Sequence, residues 1–128
     1  MIEHTTIETE YSLAGRNILV VEDEYFLADD IARTLKAAGA TIVALLGDVE
    51  DAITFLHSGK PIDGAVLDIN VRGAMIYPVA DILRERNIPF VFATGYDQAA
   101  LATPYKGITR LEKPFETSAL SRALSVQA

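Results

Sequence analysis

The strongest constraint on this chain is a repeated alternation. Short aliphatic runs alternate with segments of helical periodicity, and each run ends on polar side chains. Residues 18–21 form a continuous Ile-Leu-Val-Val run, which reads as a strand buried on both faces. Residues 24–38 follow with Leu27, Ile31 and Leu35 at helical spacing, and Gly39 ends that segment. A second strand is expected over 41–46. Asp48 then stands as an N-cap before a helix containing Ile53 and Leu56, which Gly59 and Pro61 terminate. A third strand covers 65–67, a polar loop 70–74, and a helix 75–86 with Pro78 in its first turn. A fourth strand is expected over 88–93. A short helix over 97–103 is stopped by Pro104, a fifth strand covers 107–111, and a last helix 116–126. Five strand–helix units in about 110 residues imply a parallel sheet covered on both faces.

Composition and charge narrow the function classes. With 128 residues the chain has the length of one domain. It has no cysteine, which removes disulfides, thiolate catalysis and cysteine–zinc sites, and two histidines argue against a multi-histidine metal site. The net charge of −7 is concentrated. Residues 1–32 hold eight acids against Arg16 alone, whereas residues 33–128 hold ten acids and ten bases. That sign disfavours direct nucleic-acid binding and suits a divalent cation or a basic partner surface. There is no run of 18 apolar residues and no signal-peptide pattern at the start, so no membrane association and a cytoplasmic location are expected. Residues 1–16 are polar and acidic, with a weak apolar cluster at Ile7, Tyr11 and Leu13, and read as an arm or linker; residues 17–128 form the folded domain.

In a parallel sheet all carboxyl ends share one edge, and ligands bind there, at the topological switch point. The first strand ends in Glu22-Asp23-Glu24, the third in Asp68-Ile69-Asn70, the fourth in Thr94-Gly95 and the fifth in Lys113-Pro114-Phe115. Each piece alone has a plain structural reading as a helix cap, a turn or a surface lysine. Together they bring carboxylates, a hydroxyl and an ammonium to one edge. Clustered carboxylates repel one another unless a cation joins them. Hard oxygen ligands in small number suit Mg²⁺, which retains waters and accepts phosphate oxygens. Phosphoryl transfer needs mainly positioning and charge neutralisation, and Asp68 between metal and lysine is placed to form an aspartyl phosphate.

The segments Asn17-Ile-Leu-Val-Val-Glu-Asp-Glu24, Ala65-Val-Leu-Asp-Ile-Asn70, Pro89-Phe-Val-Phe-Ala-Thr-Gly95 and Leu111-Glu-Lys-Pro-Phe115 resemble the bacterial response-regulator receiver domain over about residues 16–126. The third segment is similar to a Pro-Phe-x-Phe-Ala-Thr-Gly subgroup whose members often stand alone or are fused to sensor kinases. The resemblance implies a flavodoxin-like (βα)5 three-layer sandwich with a parallel five-stranded sheet in order 2-1-3-4-5. It implies two-component signalling, with Asp68 accepting a phosphoryl group from a histidine kinase or histidine phosphotransfer protein. It assigns Glu22, Asp23, Asp68 and the Asn70 backbone carbonyl to Mg²⁺, Thr94 to the switch hydroxyl and Lys113 to the family lysine, with a cis Lys113–Pro114 bond. Such a domain is a phosphoacceptor rather than an enzyme, and its product is read by a downstream protein partner; its oligomeric state, monomer or dimer, stays open.

Three departures from the family pattern stand out. The position three before Lys113, usually Tyr or Phe, is Arg110, a candidate replacement in relaying the switch. The usual loop proline after Asp68 is missing, with Gly73 nearby. The fourth helix is short. Asn70 and Tyr96 flank the expected path of a hydrolytic water and are candidates for tuning the lifetime of the phosphoryl group. Tyr25 and Phe26, beside the acidic triplet, are a docking-patch candidate, with local packing as the equal alternative. If the 128 residues are the whole protein, output is by protein contact, or the chain is a phosphate relay or sink. If it is excised from a hybrid kinase, the acidic arm is linker. Two other classes fit the residues less well. A haloacid-dehalogenase-like phosphatase needs a second Asp where Asn70 stands, which supplies no general acid. A phosphorylation-independent interaction module leaves the full acid, threonine and lysine set without a purpose.

Overall fold

A computed structural model describes residues 12–95, 105 and 107–127. In chain order the elements are β1 (Asn17–Val21), α1 (Tyr25–Ala37), β2 (Thr41–Leu46), α2 (Val49–His57), β3 (Gly64–Leu67), β4 (Asn70–Val71), β5 (Ala74–Met75), α3 (Tyr77–Glu85), β6 (Phe90–Thr94), β7 (Arg110–Glu112) and α4 (Ser118–Gln127). β2, β1, β3, β6 and β7 form one parallel sheet in that order. This is the expected 2-1-3-4-5 arrangement, counted over the five sheet strands. From β1 the chain steps outward to β2, then back across to β3. That reversal opens a crevice beyond the carboxyl ends of β1 and β3.

The two-residue period of the strands divides the core in two. Leu19, Val21, Leu67 and Phe92 face one side and pack with Ala52 and Leu56 of α2 and Val79 and Leu83 of α3. Ile18, Val20, Val66 and Val91 face the other and pack with Ile31 and Leu35 of α1 and Leu120 and Leu124 of α4. The helices bury stripes set by the 3.6-residue period. On α1 the buried positions are Ala28, Ile31, Ala32 and Leu35. Asp48 caps α2 as its sequence suggested, accepting from the Glu50 N–H at 2.7 Å and the Asp51 N–H at 3.3 Å.

Gly39, at φ +104°, carries the chain from α1 into β2, and a Cβ there would stand 3.0 Å from Ala14 backbone atoms. That close approach reflects how residues 12–16 lie on the fold. Leu13 is fully buried, its N–H donates to the Ala38 carbonyl at 2.7 Å, and Arg16 Nη1 donates to the Leu124 carbonyl at 2.9 Å.

Several boundaries differ from the sequence expectation. The polar loop expected over 70–74 is a small antiparallel hairpin, β4 with β5. Two residues per strand are too few for period-two patterning to register. The fourth strand begins at Phe90, because Ile88 closes the end of α3 by donating to the Leu83 carbonyl at 2.9 Å. The fifth runs 110–112 rather than 107–111, because Ile108 turns back to donate to the Tyr105 carbonyl at 3.0 Å. The last helix begins two residues later than expected. The expected short helix over 97–103, Pro104 and Tyr96 lie outside the described residues, as do Ile7 and Tyr11 of the arm.

Candidate functional site

The site forms where the strands run out. β1 passes directly into Glu22, whose N–H donates to the Leu46 carbonyl at 2.9 Å, so β2 holds the turn in place. β3 passes directly into Asp68, whose N–H donates to the Val21 carbonyl at 2.9 Å. Two neighbouring strands thus deliver two carboxylates side by side. Asp23 follows Glu22 and reaches outward. Its Oδ2 accepts the Arg72 N–H at 2.8 Å, which ties the β4–β5 hairpin to the acidic segment.

Lys113 arrives from the far edge of the sheet. Its N–H donates to the Thr94 carbonyl at 2.8 Å, continuing the β6–β7 ladder. Its Nζ stands 3.2 Å from Asp68 Oδ2, 3.2 Å from Glu22 Oε1 and 3.0 Å from Glu24 Oε1. One ammonium therefore bridges three carboxylates. The Lys113–Pro114 bond is cis.

Burial sets the electrostatics. Glu22 and Asp68 are buried, whereas Asp23 and Glu24 are exposed. Desolvation pushes the Glu22 carboxyl up to about 7, a hydrogen bond from the Glu24 N–H works against that rise, and the Asp68 charge adds to it. Burial also raises Asp68, although Lys113 pulls it back. For Lys113, burial works to lower the value; the hydrogen bond to Glu24 and the charges of Asp68 and Glu22 outweigh it, and the net direction is upward. The lysine is a permanent cation in a pocket of partly neutralised acids.

Ligand atoms from Glu22, Asp23 and Asp68 all lie within 4.8 Å of one another. An all-oxygen set with two buried members and one facing solvent fits a hard divalent ion that keeps waters, such as Mg²⁺. Glu22 Oε1 is buried without a hydrogen bond and rests only on the ion pair with Lys113. That leaves the oxygen with unused capacity to ligate.

The other expected residues fall as follows. Thr94 is the last residue of β6 and fully buried. Asn70 opens β4, and its Oδ1 accepts the Gly73 N–H at 2.9 Å, which shapes the hairpin beside Asp68. Arg110 opens β7 opposite Phe92, and its Nε is buried with no hydrogen-bond partner among the described residues. Tyr25 and Phe26 are 75% and 84% exposed and touch each other edge to face.

Sequence reasoning missed two things. Glu24 stands in the acidic triplet that the sequence brings to the sheet edge, but its pairing with Lys113 was not foreseen. Tyr105 appears as nothing at all. It is buried, stacks on Tyr77 at 4.8 Å, meets Phe92 edge to face and donates its hydroxyl to Asp81. An aromatic residue just before an expected strand was the available signal.

No protein-family model matches the chain. Among solved structures, SdrG of Sphingomonas melonis Fr1 is 35% identical, spans 88% of this chain and 95% of its own, and superposes with a TM-score of 0.77. SdrG of Pseudomonas melonis Fr1 in a BeF3-activated conformation is also 35% identical, over 91% and 99%, with a TM-score of 0.73. The response regulator receiver protein of Sinorhizobium medicae WSM419 is 34% identical over 91% of this chain and all of its own, with a TM-score of 0.73. The transcriptional regulatory protein PdtaR of Mycobacterium tuberculosis is 30% identical over 115 residues, 87% of this chain. The chain spans 56%, about half, of that curated relative's length. The sheet order and the strand-end residues fit a receiver, the identity runs along nearly the full length of the three solved structures, and the chain belongs to the response-regulator receiver family.

Proposed function

We propose that this receiver takes a phosphoryl group from a phosphohistidine onto Asp68, and that the added charge switches a surface read by another protein. The observation that carries this reading is the Lys113 Nζ at 3.2 Å from Asp68 Oδ2, at the end of a fully buried strand and beside the Glu22–Asp23 pair. A carboxylate so held is a nucleophile with fixed aim, and the lysine is a counter-charge that stays with it. SdrG, which has a BeF3-activated conformation, supports the same reading, because a beryllofluoride group on a carboxylate imitates a phosphoryl group.

An Asp68 oxygen attacks phosphorus in line. The new O–P bond forms as the P–N bond to the donor imidazole breaks, and the bonding pair returns to the ring nitrogen. Lys113 follows the developing negative charge onto a phosphoryl oxygen. Thr94, at the end of the neighbouring strand, supplies a hydroxyl donor to another. Asp23, Asp68 and the Asn70 carbonyl, with Glu22 behind them, are the groups that would hold Mg²⁺, which supplies neutralisation of phosphoryl charge when bound. The product carries about −1.5 to −2 of new charge at one point, and the β6 end and the β7 edge respond to it. Asn70 and Tyr96 set the hydrolytic lifetime, and Arg110 stands in for the usual aromatic in the relay. The chain acts as a stoichiometric acceptor, not as a turnover enzyme.

The donor is a histidine kinase or histidine phosphotransfer protein, which meets Tyr25 and Phe26 at the pocket lip. The site of action is the cytoplasm; no helix among the described residues is long and apolar enough to cross a membrane. The test is beryllofluoride with Mg²⁺, followed by amide NMR. Shifts around Asp68, Thr94 and Lys113 are expected in the wild type and none in Asp68→Asn. An unchanged wild-type spectrum overturns the proposal.

A further inference from the structure

Beside the acidic segment the β4–β5 hairpin carries a cation that phosphotransfer as described leaves unused. Arg72 sits at the tip of the β4–β5 hairpin with φ +52°, a left-handed conformation that residues other than glycine adopt at a cost. Its own N–H on Asp23 and the Gly73 N–H on Asn70 hold it there. The side chain turns back over the acidic segment. Its Nη2 lies 3.9 Å from where a Cβ on Gly47 would stand, a point 3.6 Å from the Glu22 carbonyl oxygen and 3.7 Å from Asp23 Cα. The guanidinium thus lies beside Gly47, close to the backbone of the acidic segment. The side chain is exposed and takes no part in the ion pairs among the described residues.

The charges explain what such a group does. Among the described residues Glu22, Glu24 and Asp68 share the one Lys113 ammonium, and Asp23 stands within 4.8 Å of the Glu22 and Asp68 oxygens. An incoming phosphoryl dianion meets this excess of negative charge from the solvent side. A guanidinium on that side, well within a Debye length, offsets part of the repulsion. The same charge opposes a divalent cation beside Asp23. An anion and a cation approaching one pocket must feel Arg72 with opposite signs.

We propose that Arg72 is a positioning residue for the anionic phosphodonor, drawing phosphoryl oxygens to the open side of the pocket while weakening Mg²⁺ binding at Asp23. This rests on the phosphoacceptor reading of Asp68. The test uses Arg72→Gln and Arg72→Lys, which keep a long side chain at the same backbone position, with acetyl phosphate as the dianionic probe. At saturating Mg²⁺, Arg72→Gln is expected to lower the second-order rate constant of phosphorylation about two- to fivefold, the range of exposed charge interactions. Mg²⁺ titration of the unphosphorylated variant is expected to give tighter binding by a similar factor. Arg72→Lys restores both constants, and molar salt erases the differences. Phosphorylation of the wild type with an unchanged rate in Arg72→Gln overturns this inference alone. So does slower phosphorylation together with weaker Mg²⁺ binding, the mark of a displaced Asp23. A wild type that takes no phosphoryl group overturns the reading of Asp68 and this inference together.

Discussion

β3 and β7 both end at the pocket, and they are built differently. β3 is central, paired with β1 and β6, and buried at all four residues. β7 is an edge strand, paired with β6 alone, with two half-buried residues and one exposed. β3 leads into Asp68, the proposed nucleophile, and β7 into Lys113. The side chain of Asp68 is 7% exposed and that of Lys113 is 20% exposed. A nucleophile benefits from a position that the core over-determines, since misplacement by an ångström slows reaction. A cation that must transfer its attention from a carboxylate to a phosphoryl group benefits from a strand free to yield. The receiver places its fixed group at the centre of the sheet and its responsive group at the edge.

Three experiments break or sharpen this contrast. The largest effect is expected for Leu67→Ala in β3, which empties space in a fully buried layer and costs about 2–5 kcal/mol by urea unfolding. Leu111→Ala in β7, half-buried, is expected to cost about 1 kcal/mol or less. Equal losses contradict the distinction between the strands.

Next comes Lys113→Ala. It strands Glu22 and Asp68 without their shared cation. The expected loss is about 2 kcal/mol at pH 8, below that of a fully buried pair because Lys113 is partly in water. The loss shrinks at pH 5.5, where Glu22 holds a proton and needs no counter-charge. A loss independent of pH would show that Lys113 acts through packing.

The third experiment concerns Glu22 itself in the metal-free protein. Its carboxyl titrates near 7 when folded and near 4.5 when unfolded. The folded state therefore keeps a proton that the unfolded state releases between those values. The contribution is fully present below about pH 4.5 and is lost as pH rises through 7. Asp68, raised in the same sense, adds to the slope. Thermal unfolding against pH is expected to show this decline, and Glu22→Gln to flatten it. An unchanged slope in Glu22→Gln removes burial of that carboxyl as its cause.

What the sequence reveals follows the same division. β1 and β3 are legible because strands covered on both faces must be apolar throughout, and residues 18–21 and 65–67 are. The residues that break those runs, Glu22 and Asp68, are legible as a site for the same reason, since nothing in the core explains them. β7 is displaced from its expected position because an edge strand buries less and leaves a weaker pattern. The backbone turn from Ile108 onto Tyr105 has no compositional mark. Glu24 is ambiguous in sequence because an acid at a helix start has a sufficient local reason to be there. Its bond to Lys113 spans 89 residues and exists only through the fold. The same holds for Arg72, whose meeting with Asp23 depends on a hairpin too short to show periodicity.

The central claim is that Asp68 is the phosphoacceptor. The direct measurement is incubation with acetyl phosphate and Mg²⁺, intact-mass analysis, and borohydride trapping of the acyl phosphate followed by peptide mapping. One added phosphoryl mass is expected, dependent on Mg²⁺, mapped to Asp68 and absent in Asp68→Asn. A stable wild-type protein that gains no phosphoryl mass, or gains it equally in Asp68→Asn, contradicts it.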